Sequence, residues 1–182
     1  ALNNLGNVYY VQGRTDEAVS CYKRAIELNP DNPGACSNLG DALRKLGRPD
    51  EAVCCYQNAI AANPNSPDVY VKLGNTFADK GDHEDAVLSY KNAIALKPDY
   101  PDAHNNLGNI LKQQGHIEAA ILCYRNALDL KPDYKDALNN LGNALNCRGK
   151  IDEAISCYRK ALHIDAEYLE AYNNMGNALN KQ

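Results

Sequence analysis

A glycine recurs every 34 residues along this 182-residue chain, at Gly6, Gly40, Gly74, Gly108, Gly142 and Gly176. Leu precedes each of the first five (Leu5, Leu39, Leu73, Leu107, Leu141), and Met175 precedes the last. A fixed period of this length constrains the fold more than any other feature. One unit of that size cannot bury its apolar face alone and must stack on its neighbours. Stacked helix–turn–helix units give a solenoid, whose usual product is a binding surface rather than a reaction centre.

The rest of the repeat keeps the same phase. A second glycine follows seven residues later (Gly13, Gly47, Gly81, Gly115, Gly149), an alanine twelve later (Ala18, Ala52, Ala86, Ala120, Ala154) and a tyrosine sixteen later (Tyr22, Tyr56, Tyr90, Tyr124, Tyr158). A second alanine lies nineteen later, and a proline twenty-four later (Pro30, Pro64, Pro98, Pro132), with Ala166 breaking the proline series. These positions resemble the signature of the tetratricopeptide repeat over the whole chain. The resemblance implies an all-α, right-handed superhelical solenoid.

Local chemistry agrees. Gly13 and its equivalents end a first helix and turn the chain. Asp16, Asp50, Glu84, Glu118 and Asp152 then open a second helix, where acidic side chains favour the helix dipole. Proline ends it, because its ring cannot continue a helix. The Leu-Gly glycine costs about 1 kcal/mol against Ala in mid-helix. That cost predicts a close backbone approach, which the small alanines of the second helix would allow. First helices are expected at about 1–12, 33–46, 67–80, 101–114, 135–148 and 169–182. The chain then reads as one array of repeats at about 1–32, 33–66, 67–100, 101–134 and 135–168, plus the first helix of a sixth at 169–182. It starts at Ala1 inside a helix and ends with Tyr172, Met175 and Leu179 uncovered. The expectation is therefore a piece of a longer array, or one whose ends stack on other copies.

Composition narrows the function. At 45% apolar residues and a net charge of −4, the chain reads as a soluble globular protein and gives no reason to expect nucleic acid. No apolar run approaches membrane-spanning length, and no signal peptide is visible. Cys21, Cys55, Cys123 and Cys157 recur one residue before the repeat tyrosine. Helix axes about 8–10 Å apart hold such points beyond the ~7 Å Cα reach of a disulfide. They are expected to be small, partly buried thiols of a reducing, cytoplasmic or nucleocytoplasmic compartment. No C-x-x-C or H-x₃-H pair suggests a metal, and the neighbours Cys54 and Cys55 diverge by about 100° on a helix. His104 falls in the core slot held by Tyr70, Leu138 and Tyr172 elsewhere, while His83, His116 and His163 fall at turns or helix ends. With no Ser-His-Asp set, phosphate-cradling loop or carboxylate pair, neither catalysis nor a cofactor is expected.

Function is then expected on the face the core does not use. On first helices the core takes the positions four before, one before, two after and three after each glycine. At about 100° per residue the opposite stripe holds the positions six before, two before, one after and five after. First helices line the inner wall of such a superhelix, so the stripe is its concave face. Two before the glycine stand Asn4, Asn38, Lys72, Asn106, Asn140 and Asn174; one after stand Asn7, Asp41, Asn75, Asn109, Asn143 and Asn177. Six before stand Gly34, Asp68, Asp102, Asp136 and Glu170. Asn is a mediocre helix former. Its amide offers two donors and an acceptor, so a ladder of amides can hold the backbone of an extended polypeptide of any sequence. The acidic rim favours basic, Ser or Thr side chains. The asparagine after the glycine has a second reading, in which it bonds the next helix. Lys72 reads either as a contact for an acidic ligand residue or as a drifted surface position. It accompanies Val71, Phe77 and Asp79 in a divergent third repeat. Tyr10, Arg44, Lys112 and Asn146, four after the glycine, are candidates for side-chain selectivity.

A co-chaperone carboxylate clamp needs a Lys three before a glycine, where this chain has Asn3, Ser37, Val71, Asn105, Asn139 and Asn173. Instead, Ala137–Ala144 and Asp152–Leu162 resemble the superhelical arm of the O-linked N-acetylglucosamine transferases. That resemblance implies an inner asparagine ladder, with aspartates beside it, that presents extended polypeptides to a catalytic domain absent from this sequence. The expected partner is thus an extended polypeptide, with end-to-end self-association as the other possibility.

Overall fold

A computed structural model describes residues 1–181. Those residues form eleven α-helices and no strand: α1 (Leu2–Val11), α2 (Thr15–Leu28), α3 (Pro33–Lys45), α4 (Pro49–Ala62), α5 (Pro67–Lys80), α6 (His83–Leu96), α7 (Pro101–Gln113), α8 (Ile117–Leu130), α9 (Lys135–Cys147), α10 (Ile151–Ile164) and α11 (Leu169–Leu179). This is an all-α helical-repeat solenoid. Odd-numbered helices are the expected first helices, to within three residues at each described end; Gln182, the last residue of the sixth, lies outside the described residues.

Each turn has a sequence cause. Gly13, Gly47, Gly81, Gly115 and Gly149 all take positive φ, between 72° and 84°, a conformation that side chains resist. At the first, Arg14 N–H donates to Tyr9 O at 2.9 Å and Gly13 N–H to Tyr10 O at 3.1 Å, so the left-handed residue satisfies the helix-end carbonyls. Second helices end on an extended residue before proline, as at Asn29 (φ −147°). Asp165 takes the same geometry (φ −137°) although Ala166 follows it. There the Asp165 carboxylate accepts the Glu167 N–H at 3.0 Å and pairs with Lys135 at 2.6 Å, so side-chain bonds hold the end without proline.

The mid-helix glycine has a different reason from the one expected. A Cβ at Gly6, Gly40, Gly74, Gly108 or Gly142 would lie 2.5–2.7 Å from Cε1 of the tyrosine sixteen residues on. The partner in the close approach is a buried aromatic ring, not the alanine-bearing backbone of the second helix. At Gly176 nothing lies within 4 Å.

The chain forms two compact units, Ala1–Leu96 and Lys97–Gln182. In the first, one core joins Ala18, Tyr22, Leu39, Leu43, Tyr56 and Leu73. In the second, Ala120, Tyr124, Leu141, Leu145 and Tyr158 do the same. Within the first unit α1 meets α3 and α3 meets α5, whereas α2, α4 and α6 do not meet one another; within the second, α7 meets α9 and α9 meets α11, but α8 and α10 do not meet. Each unit therefore curves with its first helices on the inner side. The expected core positions are filled accordingly, fully at Cys36, Leu39, Ala42 and Leu43 and again at Leu138, Leu141, Ala144 and Leu145. The position five before the glycine adds Ala35, Val69, Ala103, Ala137 and Ala171, all buried.

Candidate functional site

The inner face begins at the buried tyrosines. A phenol removed from water must find a partner. Each donates to the residue one after the repeat glycine: Tyr22 to Asn7 (2.8 Å), Tyr56 to Asp41 (2.8 Å), Tyr90 to Asn75 (2.7 Å), Tyr124 to Asn109 (2.9 Å) and Tyr158 to Asn143 (2.8 Å). Each bond joins a first helix to the second helix that follows it, so this position does bond the next helix. Asn177 is exposed. Burial pushes the Tyr22 and Tyr158 phenols up to about 12 and raises Tyr56, Tyr90 and Tyr124 further, with the Asp41 charge adding to the rise at Tyr56.

A second layer of bonds runs between successive first helices. The side chain two before the glycine donates back to the preceding repeat: Asn38 Nδ2 to Asn3 Oδ1 (3.1 Å) and Asn7 Oδ1 (2.9 Å), Asn140 to Asn105 (3.1 Å) and Asn174 to Asn139 (2.9 Å). Lys72 makes the corresponding pair, Nζ to Ser37 Oγ at 3.1 Å and to Asp41 Oδ2 at 2.6 Å. Asp41 thus accepts Tyr56 on one oxygen and Lys72 on the other, and the ammonium is neutralised inside the ladder. Asn38, Lys72, Asn106, Asn140 and Asn174 are half-buried, and Asn4 is exposed. The Asn106 carbonyl accepts from Asn105 at 3.3 Å.

The accepting position, three before the glycine, belongs neither to the expected core nor to the expected stripe. Yet Asn105 is 4% exposed and Asn139 0%. The neighbouring first helix covers it, a burial that one helix's periodicity cannot register. The recurrence of Asn3, Asn105, Asn139 and Asn173 is the signal the sequence offers for it.

The acidic rim is partly engaged in the second unit. Burial first, then a neighbouring carboxylate, raises the Tyr134 and Tyr168 phenols, Asp102 acting on the one and Asp136 on the other. Glu170 accepts from Asn139 Nδ2 at 2.9 Å. Lys135 lies 5.2 Å above the Tyr168 ring while paired with Asp165. In the first unit Asp68 lines a hollow of about 460 Å³ with Gly34, Ser37, Asn38, Asn63, Ser66 and Lys72. Farther along the first helices Arg44 pairs with Asp79 at 3.0 Å, and Lys45 sits 4.8 Å over the Tyr10 ring. Lys112 is half-buried, and the Asn146 carbonyl accepts from Lys181 at 3.5 Å. Tyr10, Arg44 and Asn146, each four after its glycine, thus meet the residue five after the next repeat's glycine, Lys45 and Asp79 on the next first helix and Lys181 just past the end of α11.

Among the described residues no group of three or more His, Cys, Asp and Glu side chains is arranged to hold a metal, and no helix is long and apolar enough to cross a membrane. All seven cysteines are free thiols, with Cys36 and Cys123 buried and Cys54 and Cys147 exposed. Burial pushes the Cys55 thiol up to about 11. His104 is half-buried in its core slot, its Nε2 2.9 Å from the Pro98 carbonyl oxygen.

The profile of the TPR repeat matches residues 6–47, 40–81, 74–115, 108–146 and 143–182. The chain belongs to the TPR repeat family. Among solved structures, MamA is similar at 26% identity over 91% of this chain and 96% of that one, with a TM-score of 0.83. TTC0263, a thermophilic TPR protein of Thermus thermophilus, is 26% identical over 98% and 97%, with a TM-score of 0.73. YrrB, described as a TPR protein with an unusual peptide-binding site, is 20% identical over 94% and 89% with a TM-score of 0.78, a likeness that speaks to the fold alone. A search of curated proteins gave no match. The chain is a TPR scaffold.

Proposed function

We propose that this TPR chain binds an extended polypeptide along the inner face of its first helices and reads mainly the peptide backbone. The observation that carries this is the half-buried amide ladder. Asn140 and Asn174 each spend one amide hydrogen on the preceding repeat, which fixes the rotamer and leaves a second N–H and the carbonyl for a ligand. Amides held by protein bonds lose little side-chain entropy when they bind, so each contact keeps more of its value. Asn7, Asp41, Asn75, Asn109 and Asn143 serve as the floor of the track, fixed by the tyrosines beneath. Asn4, Asn38, Asn106 and Asn177 extend it. Asp68, Asp102, Asp136 and Glu170 bias its rim towards basic and hydroxyl side chains. Lys72, neutralised by Asp41, retains a third N–H for an acceptor on the ligand.

The test is fluorescence anisotropy of a panel of unrelated extended peptides against the wild type and the Asn106→Ala/Asn140→Ala/Asn174→Ala variant. The reading expects uniform weakening across the panel with helicity by circular dichroism unchanged. Unaltered affinity would overturn it. A narrower form, a substrate-holding arm of an O-linked N-acetylglucosamine transferase-like enzyme, rests on the sequence resemblance alone. A second reading, stacking of copies through the last helix, draws on the exposure of Leu169, Tyr172 and Leu179. It predicts concentration-dependent mass in sedimentation, abolished by Met175→Glu with Leu179→Glu.

A further inference from the structure

The hollow of about 460 Å³ in the first unit lies at a repeat junction that the second unit fills with its own side chain. Counting from Gly40 and from Gly142, Ser66 occupies the place of Tyr168, Gly34 that of Asp136, and Ser37 that of Asn139; Pro33 and Asn63 occupy the places of Lys135 and Asp165. In the second unit the Tyr168 ring packs on Leu138, Ala161 and Ala171. Its hydroxyl lies beside Asp136 and Asn139, and Lys135, paired with Asp165 at 2.6 Å, lies over its ring. The first unit lacks the ring, the carboxylate and the covering ion pair together. What is left is an open space lined by Val69 together with polar side chains that include Ser37, Asp68 and Lys72. A Cβ on Gly34 would meet only Asn32 Oδ1, at 3.5 Å.

We infer that this hollow is a side-chain subsite for a tyrosine of a bound polypeptide. The inference rests on the peptide track proposed above, because Asn38 and Lys72 belong to both. At the equivalent junction of the second unit the same repeat frame holds a tyrosine ring. Tyr168 meets Asn139 there; in the hollow the corresponding group is the Ser37 hydroxyl, bonded to Lys72 Nζ at 3.1 Å. The Lys72 charge is matched by Asp41 at 2.6 Å, so the site suits a neutral phenol that accepts a hydrogen bond. A hollow of this size falls within the range of about 300–1,000 Å³ seen for ligand pockets, and a buried aromatic anchor is what such subsites use best.

The experiment compares a short Gly-Ser-Ala peptide carrying one central Tyr with its Ala counterpart, by anisotropy, alongside N-acetyl-L-tyrosinamide followed by amide shifts of Gly34, Ser37 and Ser66. The wild type should prefer the Tyr peptide by about tenfold. Gly34→Asp/Ser66→Tyr, which restores the pattern of the second unit, should erase the preference while the Ala peptide still binds. Ser66→Tyr alone should reduce the preference, which keeps the test open if the double variant folds poorly. Equal binding of both peptides to the wild type, or a preference that survives both variants, overturns the subsite and leaves the backbone track standing. Binding of the Tyr peptide and of N-acetyl-L-tyrosinamide, with none of the Ala peptide, overturns the track and leaves the subsite.

Discussion

In the unit built from α7–α11 the rungs that Asn140 makes on Asn105 and Asn174 on Asn139 are amide to amide, and the accepting residues are sealed from solvent. In the unit built from α1–α6 one rung is amide and the next is ionic, Asn38 on Asn3 and Asn7, then Lys72 on Ser37 and Asp41. The geometry is shared and the chemistry is not. Asp41 stands in an asparagine position and Lys72 in the asparagine position of the following repeat, so donor and acceptor differ from the other rungs as a pair and the local charge is balanced. The second unit also closes its junctions with Tyr134 and Tyr168, while the first leaves one open at Ser66. A common frame therefore carries a rigid amide region and a charged, more open one.

The largest expected effect tests the frame itself. Burial raises the core phenols, Tyr22 in the first unit and Tyr158 in the second both to about 12 from 10.0. The folded chain then keeps protons that the unfolded chain releases above pH 10, so this stability is whole below pH 10 and is lost as pH rises towards 12. Circular dichroism across this range should show both units unfolding as the tyrosines ionise. Phenols that titrate near 10 with helicity intact would break the shared-frame account.

The rungs should respond unequally. Asn139→Ala removes a fully buried amide together with its bonds to Asn174 and Glu170 and should cost about 2 kcal/mol in urea unfolding. Ser37→Ala leaves Lys72 paired with Asp41 and should cost less than about 1 kcal/mol. Equal losses would erase the contrast between the units. Gly40→Ala and Gly142→Ala should be alike, because each Cβ meets a tyrosine ring at 2.5–2.6 Å. Overpacking costs about 1–3 kcal/mol, against about 1 kcal/mol gained in helix propensity. Gly176→Ala, with open space around its Cβ, should stabilise this chain.

The smallest effect sharpens the ionic rung. Lys72 and Asp41 have side chains 33% and 26% exposed, so the pair stands between surface and core. Asp41→Asn or Lys72→Asn alone should cost about 1 kcal/mol or less, and the double variant should recover most of that loss, since it rebuilds the amide rung. Additive losses in a double-mutant cycle would show that the two positions act independently.

Much of the fold is legible in the sequence because its causes lie within one repeat. The turn glycines, the prolines and the apolar stripe of the first helices each act over a few residues, and the structure has helices where they place them. The rungs are not legible in the same way. They join residues 31 and 35 apart, such as Asn38 with Asn7 and Asn3, and a helical wheel shows one helix without its neighbour. For that reason the burial of Asn139 escapes the pattern, and the pairing of Lys72 with Asp41 stays hidden although each residue stands out alone. The mid-helix glycine reads as a backbone contact because sequence spacing shows that room is needed without showing that a tyrosine ring fills it. The open junction at Ser66 emerges only when repeats are aligned in space, where an absent ring becomes a hollow.

The central claim is that the inner amides read a peptide backbone. Its most direct test compares one binding peptide with the same sequence N-methylated at alternate residues, which removes backbone donors and preserves every side chain. The account predicts a loss of about tenfold or more for the methylated peptide, the worth of one or two hydrogen bonds, and no further loss when Asn140 and Asn174 are already Ala. Equal affinity of the two peptides for the wild type would contradict it.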